Sequence, residues 1–223
     1  EPRVQGLQPA AASRRFPSYL APAMTQLPEL PLTLSRQEIR KMIRQRRRAL
    51  TPEQQQEMGQ QAATRMMTYP PVVMAHTVAV FLSFDGELDT QPLIEQLWRA
   101  GKRVYLPVLH PFSADNLLFL NYHPQSELVM NRLKIHEPKL DVRDVLPLSR
   151  LDVLITPLVA FDEYGQRLGM GGGFYDRTLQ NWQHYKMQPV GYAHDCQLVE
   201  KLPVEEWDIP LPAVVTPSKV WEW

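Results

Sequence analysis

Four glycines fall within five residues of the chain, at Gly169, Gly171, Gly172 and Gly173, just after an apolar segment predicted to be a strand. Glycine permits positive φ angles and lets backbone N–H groups approach a ligand without an intervening Cβ atom. Where such a loop leads into a helix, its unpaired N–H groups favour phosphate. The spacing fits neither the Walker A motif nor GxGxxG. The run predicts a phosphate-binding loop, with a tight turn that packs a helix on the sheet as the alternative.

Charged and aromatic residues flank this glycine run. Arg167 precedes it and could pair with a phosphate through two hydrogen bonds. Phe174 and Tyr175 offer aromatic surface to a flat ring, although such residues are also typical of a core. Asp176 follows, where a carboxylate could hold Mg²⁺ beside phosphates. The alternative is that Asp176 complements the helix dipole and pairs with an arginine.

A strongly basic helix is predicted near the start of the folded region. Ser35 and Glu38 have capping-box spacing, and apolar residues recur behind them at helical intervals. Such a basic face is usually solvated, or it binds RNA or an anionic surface. A further interpretation brings one or two of its cations over a bound polyphosphate. The seven cations are Arg36, Arg40, Lys41, Arg44, Arg46, Arg47 and Arg48.

Carboxylates follow the first predicted strand, in the stretch FDGELDT at residues 84–90. In open α/β sheets, ligands bind at the carboxyl ends of the strands. Glu87 could therefore hydrogen-bond a polar ring edge. The alternative interpretation of this stretch is structural, with Asp85 in the turn and Asp89 at the cap of the next helix.

The remaining pattern predicts an α/β fold with an open, mainly parallel sheet and helices on both faces, a Rossmann-like three-layer sandwich. Residues 1–32 are predicted to be a flexible leader, and residues 33–223 a single domain. Residues 124–148 show only weak signals. The predicted strands are 77–84, 103–107, 117–122, 151–158, 189–193 and 213–216, and later helices are predicted at 51–67, 89–98 and 171–182.

Composition excludes several classes of protein. The 24 basic residues balance the 24 acidic ones, so no general field attracts nucleic acid. The single cysteine, Cys196, excludes an internal disulfide and fits a reducing compartment. No apolar run is long enough for a membrane span. The six histidines show no metal-ligand spacing, and no Ser/His/Asp or Cys/His set is evident. We expect a soluble, cytoplasmic, monomeric enzyme.

The combined motifs resemble those of the 5-formyltetrahydrofolate cyclo-ligase family. They are IRKMIRQRRRAL in the basic helix, FLSFDGELDT after the first strand, and PLVAFDEYG followed by RLGMGGGFYDR around the glycines. The resemblance extends from about Ser35 to the C-terminus. It implies an open-sheet α/β sandwich that converts 5-formyltetrahydrofolate to 5,10-methenyltetrahydrofolate with ATP and Mg²⁺, without a protein nucleophile.

Site residues are also implied by this resemblance. Arg36 stands where relatives often have Lys, Gly172 where some have Lys, and Phe174 where Tyr is common. Metal binding is assigned to Asp176 and Asp208, and catalysis to Arg40, Arg167 and Tyr175. Nucleotide binding is assigned to Arg36, Arg40, Arg167, Leu168, Gly169, Met170, Gly171, Gly172, Gly173, Phe174 and Tyr175. Substrate binding is assigned to Arg40, Leu82, Glu87, Met170, Gly171, Gly172, Gly173 and Phe174.

Two other functions compete with this one. An RNA-associated protein would use the basic helix and leave the glycine run structural, but it needs a wider basic surface than a neutral chain provides. A sugar-phosphate isomerase or acyl-CoA transferase could share the sheet, since fold does not fix function. Either enzyme would need a Glu or Lys base in the cleft, and the sequence offers no convincing one.

Overall fold

The computed structural model describes residues 34–113 and 116–223. The predicted leader at residues 1–32 lies outside this range. Within it the chain forms five α-helices, α1 (Arg36–Arg48), α2 (Pro52–Thr68), α3 (Pro70–Met74), α4 (Gln91–Arg99) and α5 (Phe174–Leu179). The strands are β1 (Thr77–Ala79), β2 (Arg103–Leu109), β3 (Leu117–Tyr122), β4 (Leu128–Met130), β5 (His136–Pro138), β6 (Val145–Leu146), β7 (Val153–Thr156), β8 (Ala160–Asp162), β9 (Arg167–Leu168), β10 (Gln188–Tyr192), β11 (Leu198–Val199), β12 (Ala213–Val215) and β13 (Val220–Glu222). None of these helices is long and apolar enough to cross a membrane.

The main sheet has eight strands in the order β13-β12-β10-β7-β1-β2-β3-β6. The five central strands, β12 to β2, are parallel, and the edge strands β13, β3 and β6 pair antiparallel. A three-stranded sheet, β11-β8-β9, and the β4–β5 hairpin complete the fold. The predicted mixed α/β architecture with a mainly parallel sheet is confirmed.

Each face of the main sheet is covered by a different set of elements. On one face, α2 and α4 bury residues such as Met66, Leu93 and Leu97 against the strands. On the other face, α5 contributes Leu179, and the three-stranded sheet contributes Phe161. The helix α1 packs on the three-stranded sheet through its own apolar stripe, which includes Ile39 and Ile43.

Local signals at the helix starts were predicted correctly. Ser35 forms the predicted capping box, and Thr51 forms a second one at the start of the helix predicted at 51–67, ahead of Pro52 in its first turn. At α4, the Asp89 carboxylate accepts a hydrogen bond from Gln91 N at 3.0 Å, as the structural interpretation of Asp89 expects.

Two element boundaries were predicted wrongly. The strand predicted at 77–84 ends at Ala79, because the chain then bends toward α4, and the Thr90 hydroxyl donates to Phe81 O at 2.7 Å. The helix predicted at 171–182 is confined to α5, because Gly173 at its N-cap and Asn181 beyond its end are both left-handed. Residues 124–148, where the sequence shows only weak signals, contain β4, β5 and β6.

The amino ends of the central strands are joined by one carboxylate. Asp152 accepts hydrogen bonds from His76 N at 2.8 Å and Thr77 N at 3.1 Å, and it pairs with Lys186 Nζ at 2.9 Å. Burial alone would raise the pKa of Asp152, but these hydrogen bonds and the charge of Lys186 lower it to about 2. Asp152 therefore ties the start of β1 to the start of β7.

We expect Asp152→Asn to lower the free energy of unfolding by about 2 kcal/mol at pH 7. The folded pKa is depressed, so this stabilisation is present above the unfolded pKa of about 3.9 and is lost as the pH falls toward about 2. Urea unfolding at pH 7 and pH 3 measures the effect, with Asp144→Asn as the control. A difference from wild type that stays constant between the two pH values would contradict this role.

Candidate active site

A cleft of about 530 Å³ opens at the carboxyl ends of the central strands. Its walls are the segments after β1 and β7, the end of β2, the first turns of α1, the glycine run and the β4–β5 hairpin. This is the end at which open α/β sheets bind ligands. The residues predicted from sequence that line it are Arg36, Arg40, Leu82, Glu87, Arg167, Gly169, Met170, Gly171, Gly172, Gly173, Phe174, Tyr175 and Asp176.

The loop at residues 169–173 has a backbone that depends on its glycines. Gly171 has φ of 111° and Gly173 has φ of 73°, which are conformations that disfavour any other residue. Two carbonyl groups of the loop accept hydrogen bonds from arginine side chains. Gly169 O accepts from Arg40, and Gly172 O accepts from Arg177. Within the described part of the chain, no group accepts a hydrogen bond from the N–H groups of residues 169–173. These donors are available to an anion.

Two arginines one turn apart on α1 reach this loop region. Arg40 is buried, and its Nε donates to Gly169 O at 2.7 Å. Burial, followed by the charges of Arg36 and Arg44, lowers the pKa of Arg40. Arg36 points to the same end of the cleft and donates to Pro203 O at 3.3 Å. The structure therefore brings both predicted α1 cations to the cleft, and Arg40 contacts the glycine loop itself.

Arg167 is a buried cation beneath the loop. Its Nε donates to Pro157 O at 2.9 Å, and its Nη1 lies 3.6 Å from the Asp176 carboxylate. Its guanidinium carbon lies 5.5 Å from the ring centre of Tyr175. Burial lowers the pKa of Arg167, although Asp176 opposes this effect. Burial likewise raises the pKa of the Tyr175 hydroxyl. The charge of Asp208 also acts on this arginine, so two carboxylates oppose the effect of its burial.

The two predicted metal ligands are both paired with arginine. Asp208 accepts two hydrogen bonds from Arg36, at 2.7 and 3.1 Å, and a third from Glu205 N at 2.9 Å. Asp176 has only long contacts, to Arg167 at 3.6 Å and to Ile209 N at 3.5 Å. No cluster of three or more His, Cys, Asp or Glu residues suited to a metal occurs among residues 34–113 and 116–223. The donors fit Mg²⁺ only in its usual protein setting, with one or two carboxylates supplemented by phosphates and waters.

Glu87 is the acidic group at the opposite wall of the cleft. Its side chain folds back on its own turn, where the carboxylate accepts from Phe84 N at 3.1 Å. Only 9% of the residue is exposed. Burial raises the pKa of Glu87 to about 7, although the hydrogen bond from Phe84 and the charge of Arg47 oppose this shift. Half-buried Leu82 lines the same wall, and half-buried Phe174 lies under the Arg177 guanidinium at 5.1 Å.

Two predicted residues do not line the cleft. Leu168 is buried with Ile39 and Ile43 in the core beneath α1. Asp208 lies outside the lining, and it contacts the cleft through Arg36. Three of the other cations on α1 lie away from the cleft. Arg44, Arg47 and Arg48 pair with Asp85, an arrangement that none of the interpretations of the basic face included.

Sequence reasoning missed the β4–β5 hairpin as a wall of the site. Asn131, Ile135 and Glu137 line the cleft. The Glu137 carboxylate accepts from Leu109 N at 3.0 Å and from Asn131 Nδ2 at 3.1 Å, which anchors the hairpin to the end of β2. Trp207, 64% exposed at the rim, was also missed. No periodic or spacing signal marks these residues, because their partners are distant in sequence.

Comparisons with known proteins agree with the resemblance noted in the sequence. Residues 33–217 match the profile of the 5-formyltetrahydrofolate cyclo-ligase family. The chain is 99% identical over 182 residues to 5-formyltetrahydrofolate cyclo-ligase of Escherichia coli K12, a match that covers 82% of this chain and 100% of the relative. It is 53% identical over 179 residues to the Haemophilus influenzae enzyme of the same name, covering 80% and 96%. The solved Aquifex aeolicus 5,10-methenyltetrahydrofolate synthetase is similar with a TM-score of 0.73 and 28% identity, over 85% of this chain and 93% of that one.

We expect Glu87→Gln to change how stability depends on pH. A carboxyl group whose folded pKa is raised to about 7 costs stability as the pH rises from its unfolded value of about 4.3 to that point. Wild type should therefore lose about 3 kcal/mol of unfolding free energy over this range relative to Glu87→Gln. Urea titrations at pH 5 and pH 8 measure it. Parallel pH profiles of the two proteins would show that Glu87 is not held protonated.

Proposed function

Because the chain belongs to the 5-formyltetrahydrofolate cyclo-ligase family, we propose that it converts 5-formyltetrahydrofolate to 5,10-methenyltetrahydrofolate with ATP and Mg²⁺, releasing ADP and phosphate. One observation carries the nucleotide part of this proposal. Five consecutive N–H groups, at residues 169–173, have no acceptor within the described chain, and they lie beside the buried cations Arg40 and Arg167. A polyphosphate supplies both the acceptors and the negative charge that this arrangement lacks.

The chemistry explains why a cleft of this kind is sufficient. The formyl group on N5 is an amide, and its oxygen is a poor leaving group. In the proposed reaction the formyl oxygen attacks the γ-phosphorus of ATP, and ADP departs. The substrate's N10 then attacks the formyl carbon, N10 loses its proton, and the C–O bond breaks to release phosphate. Both bond-making groups belong to the substrates, so the protein has to position them and neutralise charge.

The cations take the phosphate side of the reaction in this proposal. Arg40 and Arg167 neutralise the transferring group from opposite sides of the loop, and the Tyr175 ring holds the Arg167 guanidinium in place. Arg36 and Asp208 satisfy each other in the structure. When nucleotide and Mg²⁺ bind, Arg36 is free to pair with phosphate, and Asp208 with Asp176 is free to hold the metal, which would screen phosphate charge.

The other wall suits the folate. Leu82, Met170 and Phe174 present apolar and aromatic surface to the pterin ring. Glu87, once ionised, accepts hydrogen bonds from the N–H donors on the edge of that ring. Because burial raises the pKa of Glu87 to about 7, the carboxyl group is weakly hydrated before the substrate binds. The pterin ring therefore does not have to displace strongly bound water from it. The proposed site therefore places the formyl group between the pterin wall and the glycine loop.

One observation weighs against RNA binding, the main rival function. Three of the cations that suggested a basic surface, Arg44, Arg47 and Arg48, converge on the Asp85 carboxylate. They are thus partly neutralised within the fold. All proposed contacts come from one chain, so we propose that a monomer suffices. The single cysteine fits our proposal of a cytoplasmic enzyme.

The direct test is formation of the methenyl chromophore from 5-formyltetrahydrofolate by the full chain. We expect turnover only when both ATP and Mg²⁺ are present, with a rate that saturates in each. Omitting either component is the control. Equal turnover without ATP would contradict the phosphoryl-transfer mechanism, and no turnover under any condition would contradict the proposed activity.

We expect Arg167→Met to raise the KM for ATP and to lower kcat by at least about tenfold, because it removes a charge that faces the transferring phosphate. Methionine keeps much of the packing of the buried side-chain stem, so the loss reports charge rather than a cavity. Arg143→Met, at an exposed arginine paired with Asp141, is the matched control. Unchanged kinetics in Arg167→Met would remove Arg167 from the site.

A further inference from the structure

The second half of α1 holds cations that the proposed reaction does not use. Arg48 reaches the Asp85 carboxylate with Nη2 at 2.8 Å and Nε at 3.3 Å. Arg44 Nε lies 3.5 Å from the same carboxylate, and Arg47 Nη2 lies 3.7 Å from it. One carboxylate thus receives three guanidinium groups. Such convergence holds the segment around Asp85 against α1 from several directions.

Asp85 lies in a turn with an unusual backbone. Asp85 has φ of 51° and Gly86 has φ of 75°, and Glu87 N donates to Phe84 O at 3.1 Å. Two successive left-handed residues define a type I′ turn, and the left-handed region costs a non-glycine residue about 1 kcal/mol. A Cβ added to Gly86 would lie 3.3 Å from the Arg47 Cβ. The turn backbone therefore packs directly on α1.

The same turn carries Glu87 into the cleft. The Glu87 carboxylate accepts from Phe84 N, so its direction is set by the first residue of the turn. Gln55 on α2 donates to Gly86 O at 3.2 Å and supports the turn from a second helix. If the turn shifted, the Glu87 carboxylate would shift with it, because it is hydrogen-bonded within the turn.

We propose that Asp85 is a positioning residue for folate binding, and that its contacts with Arg44, Arg47 and Arg48 fix the turn at residues 84–87 so that Glu87 faces the pterin. This inference rests on the proposed function, in which Glu87 contacts the substrate. The first two turns of α1 place Arg36 beside Pro203 at the cleft and Arg40 at the glycine loop. Through Asp85, the same helix sets the distance between the phosphate side and the folate side of the cleft.

The charges around Glu87 provide a readout that a purely structural role would not change. Arg47 from α1 and Arg167 from β9 lower its pKa, and Asp85 on the same turn raises it. Partly buried Tyr175 on α5 and buried His194 after β10 also face this region. Arg47 is shared between Asp85 and Glu87, since both carboxylates raise its pKa. Without the Asp85 charge, Arg47 should draw Glu87 away from the pterin and make it more acidic.

The test is Asp85→Asn, because asparagine tolerates left-handed φ angles and so removes the charge without adding strain. We expect the KM for 5-formyltetrahydrofolate to rise at least about fivefold, while the KM for ATP stays within about twofold of wild type. The rise of kcat/KM with pH that follows Glu87 ionisation should move to lower pH. Asp141→Asn, which breaks an exposed pair with Arg143, is the matched control and should change neither KM.

A second variant protects the test against misfolding. Arg48 has a side chain that is 64% exposed, so Arg48→Gln disturbs little else. It should raise the folate KM in the same direction, and the double variant with Asp85→Asn should be no worse than Asp85→Asn alone. Additive losses in the double variant would contradict a shared contact. Thermal unfolding confirms that each variant is folded.

The failures of the two proposals are distinguishable. If Glu87→Gln leaves the folate KM unchanged, the assignment of Glu87 to the substrate is wrong. If Glu87→Gln raises the folate KM and neither Asp85→Asn nor Arg48→Gln does so, the positioning role is wrong and the proposed function stands. If Asp85→Asn raises both KM values equally and its pH profile is unmoved, Asp85 serves stability alone and the inference is overturned.

Discussion

The burial of arginine side chains at the cleft is the constraint on which the rest of the structure depends. Removing a guanidinium from water costs several kcal/mol unless hydrogen bonds and opposite charge replace the water. Arg40 has the carbonyl of Gly169, and Arg167 has the carbonyl of Pro157 with Asp176 at 3.6 Å. Carbonyl groups satisfy donors, but they cancel only part of a charge. The rest of the balance falls to carboxylates, since Glu87, Glu137 and Asp176 line the cleft beside the three arginines.

The helix α1 makes this arrangement possible because it makes three different sets of contacts. Its apolar stripe, with Ile39 and Ile43, packs on the small sheet β11-β8-β9. Its first turns place Arg36 and Arg40 at the cleft, and Arg48 in its last turn pairs with Asp85. A helix that was merely solvated on its basic face could slide on its apolar stripe at little cost. Cations fixed at both ends leave it one position on the sheet.

Sequence reasoning succeeded where a signal and its structural consequence lie within a few residues. The capping box at Ser35 joins residues three apart, and the glycine run contains the conformational freedom that its loop uses. It failed where meaning depends on distant partners. Glu137 anchors the β4–β5 hairpin because its carboxylate accepts a hydrogen bond from Leu109 N. No sequence signal near residue 137 predicts that contact. The sequence predicted that the cations of α1 share one side of the helix. It could not predict that some of them reach the cleft and others pair with Asp85, because Asp85 lies in a turn far along the chain.

The same limit applies to the acidic residues. Asp85 and Glu87 are two residues apart, yet one is gripped by three arginines and the other is buried with a pKa near 7. Asp176 and Asp208, assigned to metal by resemblance, are each found with an arginine. These pairs agree with a metal role if binding is an exchange of partners. An ion pair such as Arg36–Asp208 avoids leaving either charge buried alone before ligand arrives. In the proposed function, a polyphosphate with its Mg²⁺ would offer an anion to Arg36 and a cation to Asp208 together, so that every charge would keep a partner throughout. On this argument, neither nucleotide nor metal alone would separate the pair as readily as both do.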